Sequence, residues 1–323
     1  MAILITGGTG FIGSHLARAL LAAGQRVRLM GRDFSRVSDV LAAGAEAVQA
    51  DLRDPVQVFA ACAGAEVVYH VGALSAPWGR WRDFRAINVG GTQAVIGGCI
   101  QHNVRRLIHV SSPSVVFDGR DQLNITEAAL YPRRPISAYS ASKMIAEQRV
   151  RQAAAQIETV IIRPKAVFGV GDTTLLPRLI AAAQAQRLPQ IGDGQNVVDL
   201  TYVDNVVHAL QLAGTAPQAV GHTYHITNNE HIKVWAMLND VLARLGIAPI
   251  SRRVSVRGAL AYATMLEARA ALTRREPLLT RYTVAILARS QTYDISAAQR
   301  DLGYAPLVSV QEGIERTLAG LEA

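Results

Sequence analysis

Cysteine is almost missing: Cys62 and Cys99 are the only two in 323 residues. Neither belongs to a Cys-x-x-Cys pair or a Cys/His cluster, so no metal site is expected. A chain of this length buries enough surface to fold without disulfide or metal staples, and so few thiols suit a reducing cytoplasm. No uninterrupted apolar run of ~20 residues exists, so no membrane-spanning helix is expected. Internal repeats and low-complexity tracts are also missing. Met1-Ala2 leads straight into Ile3-Leu4-Ile5-Thr6, with no basic segment and no small-residue cleavage site, which predicts no secretory signal. Charged residues make up only 18% of the chain and hydrophobic ones 50%, the balance of a soluble globular protein. The net charge is +8. Its arginines are scattered, with no basic run and little aromatic interleaving. A solvated basic surface is expected rather than a nucleic-acid interface. Attraction to anionic substrates or to an anionic membrane surface stays open.

The hydrophobic pattern alternates in period. Ile3-Leu4-Ile5 reads as a buried strand that stops at glycines. Phe11 to Ala23 has helical spacing and ends at Gly24, and Val27 to Met30 reads as a second strand. A strand–helix–strand unit of this size implies a parallel crossover. Further strands are expected at Ala47 to Ala50, Val67 to Val71, Leu107 to Ser111 and Thr159 to Arg163. The helices between them are expected at Pro55 to Cys62, Asn88 to His102 and Ala138 to Gln156. Repeated units of this kind specify an α/β Rossmann fold with a doubly wound parallel sheet. Past Pro164 the rhythm changes. A helix at Leu175 to Arg187, an extended Val197 to Tyr202, a strand at Tyr224 to Thr227 and a helix at Val234 to Leu245 precede an arginine-rich amphipathic stretch from Ser251 to Arg289. The expected division is a dinucleotide-binding domain over 1–165, with a return segment near 195–228. A smaller, mostly helical substrate domain over 166–323 follows it.

Thr6-Gly7-Gly8-Thr9-Gly10-Phe11-Ile12-Gly13 lies between the first strand and the first helix. Gly7 or Gly8 permits a tight turn, Gly10 lets backbone approach a pyrophosphate, and Gly13 lets the helix pack on the sheet. The helix start then offers free N–H groups and a positive dipole end to phosphates. The end of the second strand reads Leu29-Met30-Gly31-Arg32-Asp33. Gly31 stands where an NAD site usually places an acid, and Arg32 can pair with a 2′-phosphate, with Arg36 as a second partner. This favours NADP(H), unless Asp33 serves an NAD ribose instead. Asp51, followed by Leu52, either contacts the adenine or starts the helix that begins at Pro55.

Tyr139-Ser140-Ala141-Ser142-Lys143 sets Tyr139 and Lys143 four residues apart, on one helical face. A phenol titrates near about 10, too high for ready proton exchange, and a neighbouring ammonium favours the phenolate. Ser111 and Ser112 end the fifth strand, where a hydroxyl either holds a substrate oxygen or caps a turn.

In this order the motifs resemble the extended short-chain dehydrogenases/reductases of the epimerase/dehydratase superfamily. The likeness runs over almost the whole chain. Thr6 to Gly13 matches the family's glycine motif and Asp51-Leu52 its adenine-side pair. His70-Val71-Gly72-Ala73 resembles the segment beneath the cofactor, and Asn88 the family's helix asparagine. Arg163-Pro164 through Val167-Phe168-Gly169 is similar to the segment after the sixth strand. The resemblance implies that Tyr139 is the acid/base and that Lys143 binds the nicotinamide ribose and lowers the Tyr139 pKa. It further implies that Ser112 orients the substrate, that Asn88 supports a water or backbone relay, and that two Rossmann helices, one being Ala138 to Gln156, form a homodimer.

Sugar-nucleotide enzymes of that superfamily carry a phosphate-clamping arginine where this chain has Val198, within Gly192 to Asn205. Ser111 to Gly119 is instead similar to the 3β-hydroxysteroid dehydrogenase branch. Ala76-Pro77-Trp78-Gly79-Arg80-Trp81 and Ile145 to Val150 look like bacterial 2-alkyl-3-oxoalkanoate reductases. The resemblance implies hydride transfer between NADP(H) and a secondary alcohol or ketone on an apolar, steroid-like or long-chain body. A nucleotide-sugar epimerase or dehydratase and a non-catalytic NADP(H) sensor are the alternatives. Trp78 and Trp81 either floor the substrate pocket or pin their loop. Leu260, Ala261, Met265, Leu266 and Leu272, flanked by Arg269, Arg274 and Arg275, form a face that packs on the core, lines a lipid pocket or rests on a membrane.

Overall fold

The computed structural model describes residues 2–322. Its centre is a sheet of seven parallel strands: β1 (Ala2–Thr6), β2 (Arg26–Gly31), β3 (Glu46–Gln49), β4 (Ala65–His70), β5 (Arg106–Val110), β6 (Glu158–Pro164) and β7 (Thr223–Ile226). Their order is β7-β6-β5-β4-β1-β2-β3. The chain winds outward from β1 in one direction through β2 and β3, then crosses to β4 and winds in the other. Thr6 at the end of β1 pairs with Met30 on one side and His70 on the other. The crevice at this reversal is where an open α/β sheet holds its ligand.

Both faces of the sheet are covered. On one, Leu16, Leu20, Val206 and Leu210 from the helices Phe11–Ala22 and Val203–Thr215 pack on Ile5, Leu29, Ile108 and Ile162. On the other, Val58, Cys62, Val95 and Cys99 from Pro55–Cys62 and Gly91–Gln101 pack on Leu4, Val68 and Leu107. Both cysteines are thus free, buried packing groups. Central strands buried on two faces explain why the sequence reads as continuous apolar runs rather than alternation.

A separate apolar cluster joins the helices Leu176–Gln184, Val234–Arg244, Val256–Thr273 and Val310–Glu322 around Trp235, Leu238 and Ile314. Beside it lies a four-stranded sheet of Gln122–Ile125, Val197–Asp199, His231–Lys233 and Gln291–Tyr293. The sequence did not announce this sheet, because strands of three or four residues are too short to display a period. Two further expectations need correction. The helix expected from Asn88 begins at Trp81, and Arg85–Gly90 forms a π-helical turn before Gly91–Gln101 continues as α-helix. In Val256–Thr273 the buried stripe consists of Ala259, Ala263 and Ala270, whereas Met265 and Leu272 are exposed. Small side chains let this helix lie close to the core, so the larger residues point outward. No helix among the described residues is long and apolar enough to cross a membrane.

Candidate active site

The glycine turn forms the first wall. Gly7 has φ of +66°, and a Cβ there would meet the backbone of Gly72 at 2.5 Å. A Cβ on Gly13 would collide with the carbonyl oxygen of Gly7. Gly7 therefore makes the turn and Gly13 the close helix approach. Gly10 is the N-cap residue of Phe11–Ala22, which has neither a side-chain cap nor an acid in its first turn. Its first N–H groups are free for an anion. Gly7, Gly10, Phe11, Ile12 and Gly13 all line one cavity of about 2310 Å³. That volume exceeds a drug-sized site, typically about 300–1,000 Å³, and accommodates a dinucleotide with a second ligand. This cradle fits a nicotinamide dinucleotide.

At the end of β2 a Cβ on Gly31 would lie 2.6 Å from Cγ2 of Thr9, so a side chain there requires Thr9 to shift. Arg32 and Arg36 line the cavity, and Asp33 is not part of the lining. The Asp33 carboxylate instead accepts the backbone N–H of Ser35 at 2.9 Å. Asp51 and Leu52 line the same cavity. The reading of Asp51 as the helix-starting acid is corrected, since Asp54 caps Pro55–Cys62 by accepting from the N–H groups of Val56 and Gln57. Asp51 binds the Arg53 guanidinium and lies 4.0 Å from that of Arg32. The Arg53 hydrogen bond holds its pKa at about 2.

Val71, Gly72 and Ala73 line the cavity beside the glycine turn. A buried chain of hydrogen bonds fixes them. Thr6 Oγ1 accepts from the Gly72 N–H and bonds His70 Nδ1 at 2.7 Å, while His70 Nε2 bonds Thr92 Oγ1 at 2.9 Å. Because the Thr92 hydroxyl donates to the Asn88 carbonyl, it accepts from His70 Nε2–H. Burial takes His70 down to about 3, so it is neutral. Asn88 itself is buried and does not line the cavity. Its amide accepts from Leu74 N at 2.7 Å and donates to Leu74 O at 3.0 Å and Ser142 Oγ at 2.9 Å. It therefore reaches the site through the backbone that carries Ser75.

Ser112, Tyr139, Lys143, Pro164 and Val167 line the same cavity. Ser137 caps the Ala138–Ala153 helix and sets Tyr139 in its first turn. The two serines divide their work. Ser111 Oγ donates to Glu147 at 2.7 Å in a buried network, where Glu147 also pairs with Arg163. Ser112 accepts from the Ser114 N–H and sits at the phenol of Tyr139. The Lys143 ammonium donates to the Val110 carbonyl at 2.6 Å and lies 3.4 Å from His109 Nε2. The expected lowering of the Tyr139 pKa by Lys143 is corrected. Burial raises it, and only the hydroxyls of Ser75 and Ser112 pull it back. Burial also takes Lys143 down to about 8.

The rest of the cavity lining is largely apolar, including Leu179, Ile191, Leu279, Tyr282, Ile286 and Leu287, with Lys165, Arg178, Arg187, Arg252 and Glu276 among them. Trp78 and Trp81 do not line it; Trp81 is largely exposed at the start of its helix. Val198 is buried in the apolar cluster of the smaller layer and presents nothing to a phosphate. Several cavity residues escaped sequence reasoning: Ser75, Lys165, Tyr282 and Gln291. Lys165 adjoined a motif already noticed, and its cation inside an apolar segment was the available signal. Ser75 lies in a loop, Tyr282 on the helix Arg281–Ala288 and Gln291 at the start of a three-residue strand, none with a local pattern that marks a site.

An arrangement of glycine cradle, phenol, hydroxyl and buried ammonium can hold a dinucleotide and exchange a proton with a ligand oxygen. Comparison with known proteins agrees. The model of the 3-beta hydroxysteroid dehydrogenase/isomerase family matches residues 4–255. A 2-alkyl-3-oxoalkanoate reductase of Stenotrophomonas maltophilia is 36% identical, over 100% of both chains. The mouse (Mus musculus) sterol-4-alpha-carboxylate 3-dehydrogenase, decarboxylating, is 33% identical, over 97% of this chain and 89% of its own. Among solved structures, MoeE5 in complex with UDP-glucuronic acid and NAD superposes with a TM-score of 0.79 at 25% identity, covering 100% of this chain and 99% of that one. The chain belongs to the 3-beta hydroxysteroid dehydrogenase/isomerase family and is an oxidoreductase dependent on a nicotinamide dinucleotide.

Proposed function

We propose that the protein interconverts a secondary alcohol and a ketone on a long-chain or steroid-like apolar body, with NADP(H) as its dinucleotide. The observation that carries this reading is the shared cavity: glycine cradle, Tyr139 with Ser112, and an apolar chamber form one continuous space. Relatives named as acting on 3-oxoalkanoates and on sterol carboxylates support the same substrate class.

When bound, the dihydronicotinamide supplies the hydride for the carbonyl carbon. Tyr139 gives its phenolic proton to the carbonyl oxygen in reduction and receives it in oxidation. Ser112 donates a hydrogen bond to the same oxygen and fixes its position. Lys143 would bind the nicotinamide ribose, and the Val110 carbonyl holds its ammonium in place. Asn88 keeps the Leu74–Ser75 backbone in register behind Tyr139. Val71, Gly72, Ala73, Pro164 and Val167 would help hold the cofactor, and Asp51 and Leu52 would contact its adenine.

The NADP(H) preference rests on Gly31 and Arg32. Position 31 carries no acid, a side chain there would press on Thr9, and the Arg32 and Arg36 guanidiniums line the cavity where a 2′-phosphate would lie. The test compares kcat/KM for NADPH and NADH in wild type and Arg32→Ala. Wild type favours NADPH. The variant loses about tenfold or more with NADPH, in line with a charge-assisted contact of about 1.5–3 kcal/mol, and little with NADH. A wild-type preference for NADH overturns this assignment.

A further inference from the structure

Lys165 is the second lysine of the cavity lining, and the reaction above does not use it. It follows the Arg163-Pro164 end of β6 and is 8% exposed. Its Nζ donates to Gln291 Oε1 at 2.7 Å and lies 5.5 Å from the centre of the Tyr293 ring. It makes no ion pair among the described residues. Asp199 is the acid close enough to act on it. Both oxygens of Asp199 are already engaged, one by His231 Nδ1 at 2.6 Å and the other by the Tyr293 N–H at 2.7 Å.

Gln291 completes the corner. An ammonium can only donate, so the amide oxygen must face Lys165. That leaves Nε2 pointing elsewhere, and this buried N–H donor has no partner. A buried cation without a direct ion pair and a buried donor without an acceptor both carry a free-energy cost. Both belong to the cavity wall. Tyr282 ties this corner to the reaction centre, being close enough to act on both Tyr139 and Tyr293. A group that supplies oxygen lone pairs and one negative charge satisfies the two orphans together.

We propose that Lys165 and Gln291 form a subsite for a carboxylate on the substrate, so that the enzyme selects an acid over its ester. This deepens the alcohol/ketone reading and rests on it. Lys165 supplies the charge and Gln291 the second donor.

The test compares a 2-alkyl-3-hydroxyalkanoate with its methyl ester as substrates for oxidation at pH 7, in wild type and Lys165→Met. The ratio of kcat/KM, acid over ester, falls about 30-fold or more in the variant, mainly through KM, the low end of what losing a buried charge partner does to binding. A ratio unchanged in a variant that still binds NADPH overturns the subsite. A second arm needs no turnover: binding of dodecanoate and of dodecanol to the NADP⁺-loaded protein, in wild type, Lys165→Met and Lys165→Gln. Dodecanoate binding weakens in both variants while dodecanol binding does not follow it. Equal weakening of both ligands, or of neither, contradicts the proposal. If wild type oxidises neither hydroxy compound, the alcohol/ketone reading fails, and the binding arm still decides whether Lys165 holds a carboxylate.

Discussion

At the scale of single residues, proton affinity decides what each group does. Tyr139 is raised by burial, so it holds its proton and is set up to donate in reduction. Lys143 is lowered to about 8 by burial, so it loses its charge above that pH. For a neutral ketone, which makes no call on Lys165, kcat/KM for reduction falls as pH rises through about 8. A pH profile of initial rates checks this, and a profile flat well beyond that point assigns Lys143 no electrostatic part. The stability consequence has the opposite sign. The unfolded lysine binds a proton between about 8 and its ordinary 10.5, where the folded one does not, so this group adds stability as pH rises through that window. The glycines, Tyr139 and Lys143 were legible in the sequence because turn and helix place them by local spacing. Spacing alone does not separate Ser112 from Ser111; the family resemblance does, and in three dimensions Glu147 claims Ser111. Lys165 and Gln291 are 126 positions apart, and no local pattern joins them.

At the scale of elements, the site depends on the Ala138–Ala153 helix lying against β5 and β6. Glu147 is the join. It accepts from Ser111, Tyr131 and Arg151 and pairs with Arg163, with both charged side chains fully buried. Against the cost of burial, Arg163 and these hydrogen bonds hold its carboxyl below the usual range. Glu147→Leu leaves Arg163 as an uncompensated buried cation, at a cost of about 3–5 kcal/mol. Denaturant unfolding measures this, and a change under about 0.5 kcal/mol, as for a surface substitution, contradicts the role. The long helices were legible from apolar spacing over several turns, and the central strands from short continuous apolar runs that end at turn residues. The π-helical turn at Arg85–Gly90 was not. It coincides with the side-chain clamp of Asn88 on Leu74, a tertiary contact that helical spacing does not encode.

At the scale of the whole molecule, the doubly wound sheet places the glycine turn, Ser112 and the β6 end at one crevice. The apolar helices then roof its far side. The βα alternation predicted the sheet, whereas the roof is assembled from short elements whose partners lie far along the chain. A ligand held in so much of this cavity stabilises the fold by mass action, about 2.7 kcal/mol at a hundred times its Kd. NADPH accordingly raises the melting temperature more than NADH at equal concentration. An equal or reversed effect contradicts the Gly31–Arg32 reading.

The central claim is that Tyr139 exchanges the proton while the dinucleotide exchanges the hydride. The most direct measurement follows NADPH consumption with a long-chain 3-oxo ester in wild type and Tyr139→Phe, alongside NADPH binding to both. The account predicts turnover by wild type and a loss of about 10²–10⁴-fold in kcat for the variant, with NADPH binding retained. Undiminished turnover by Tyr139→Phe would contradict it.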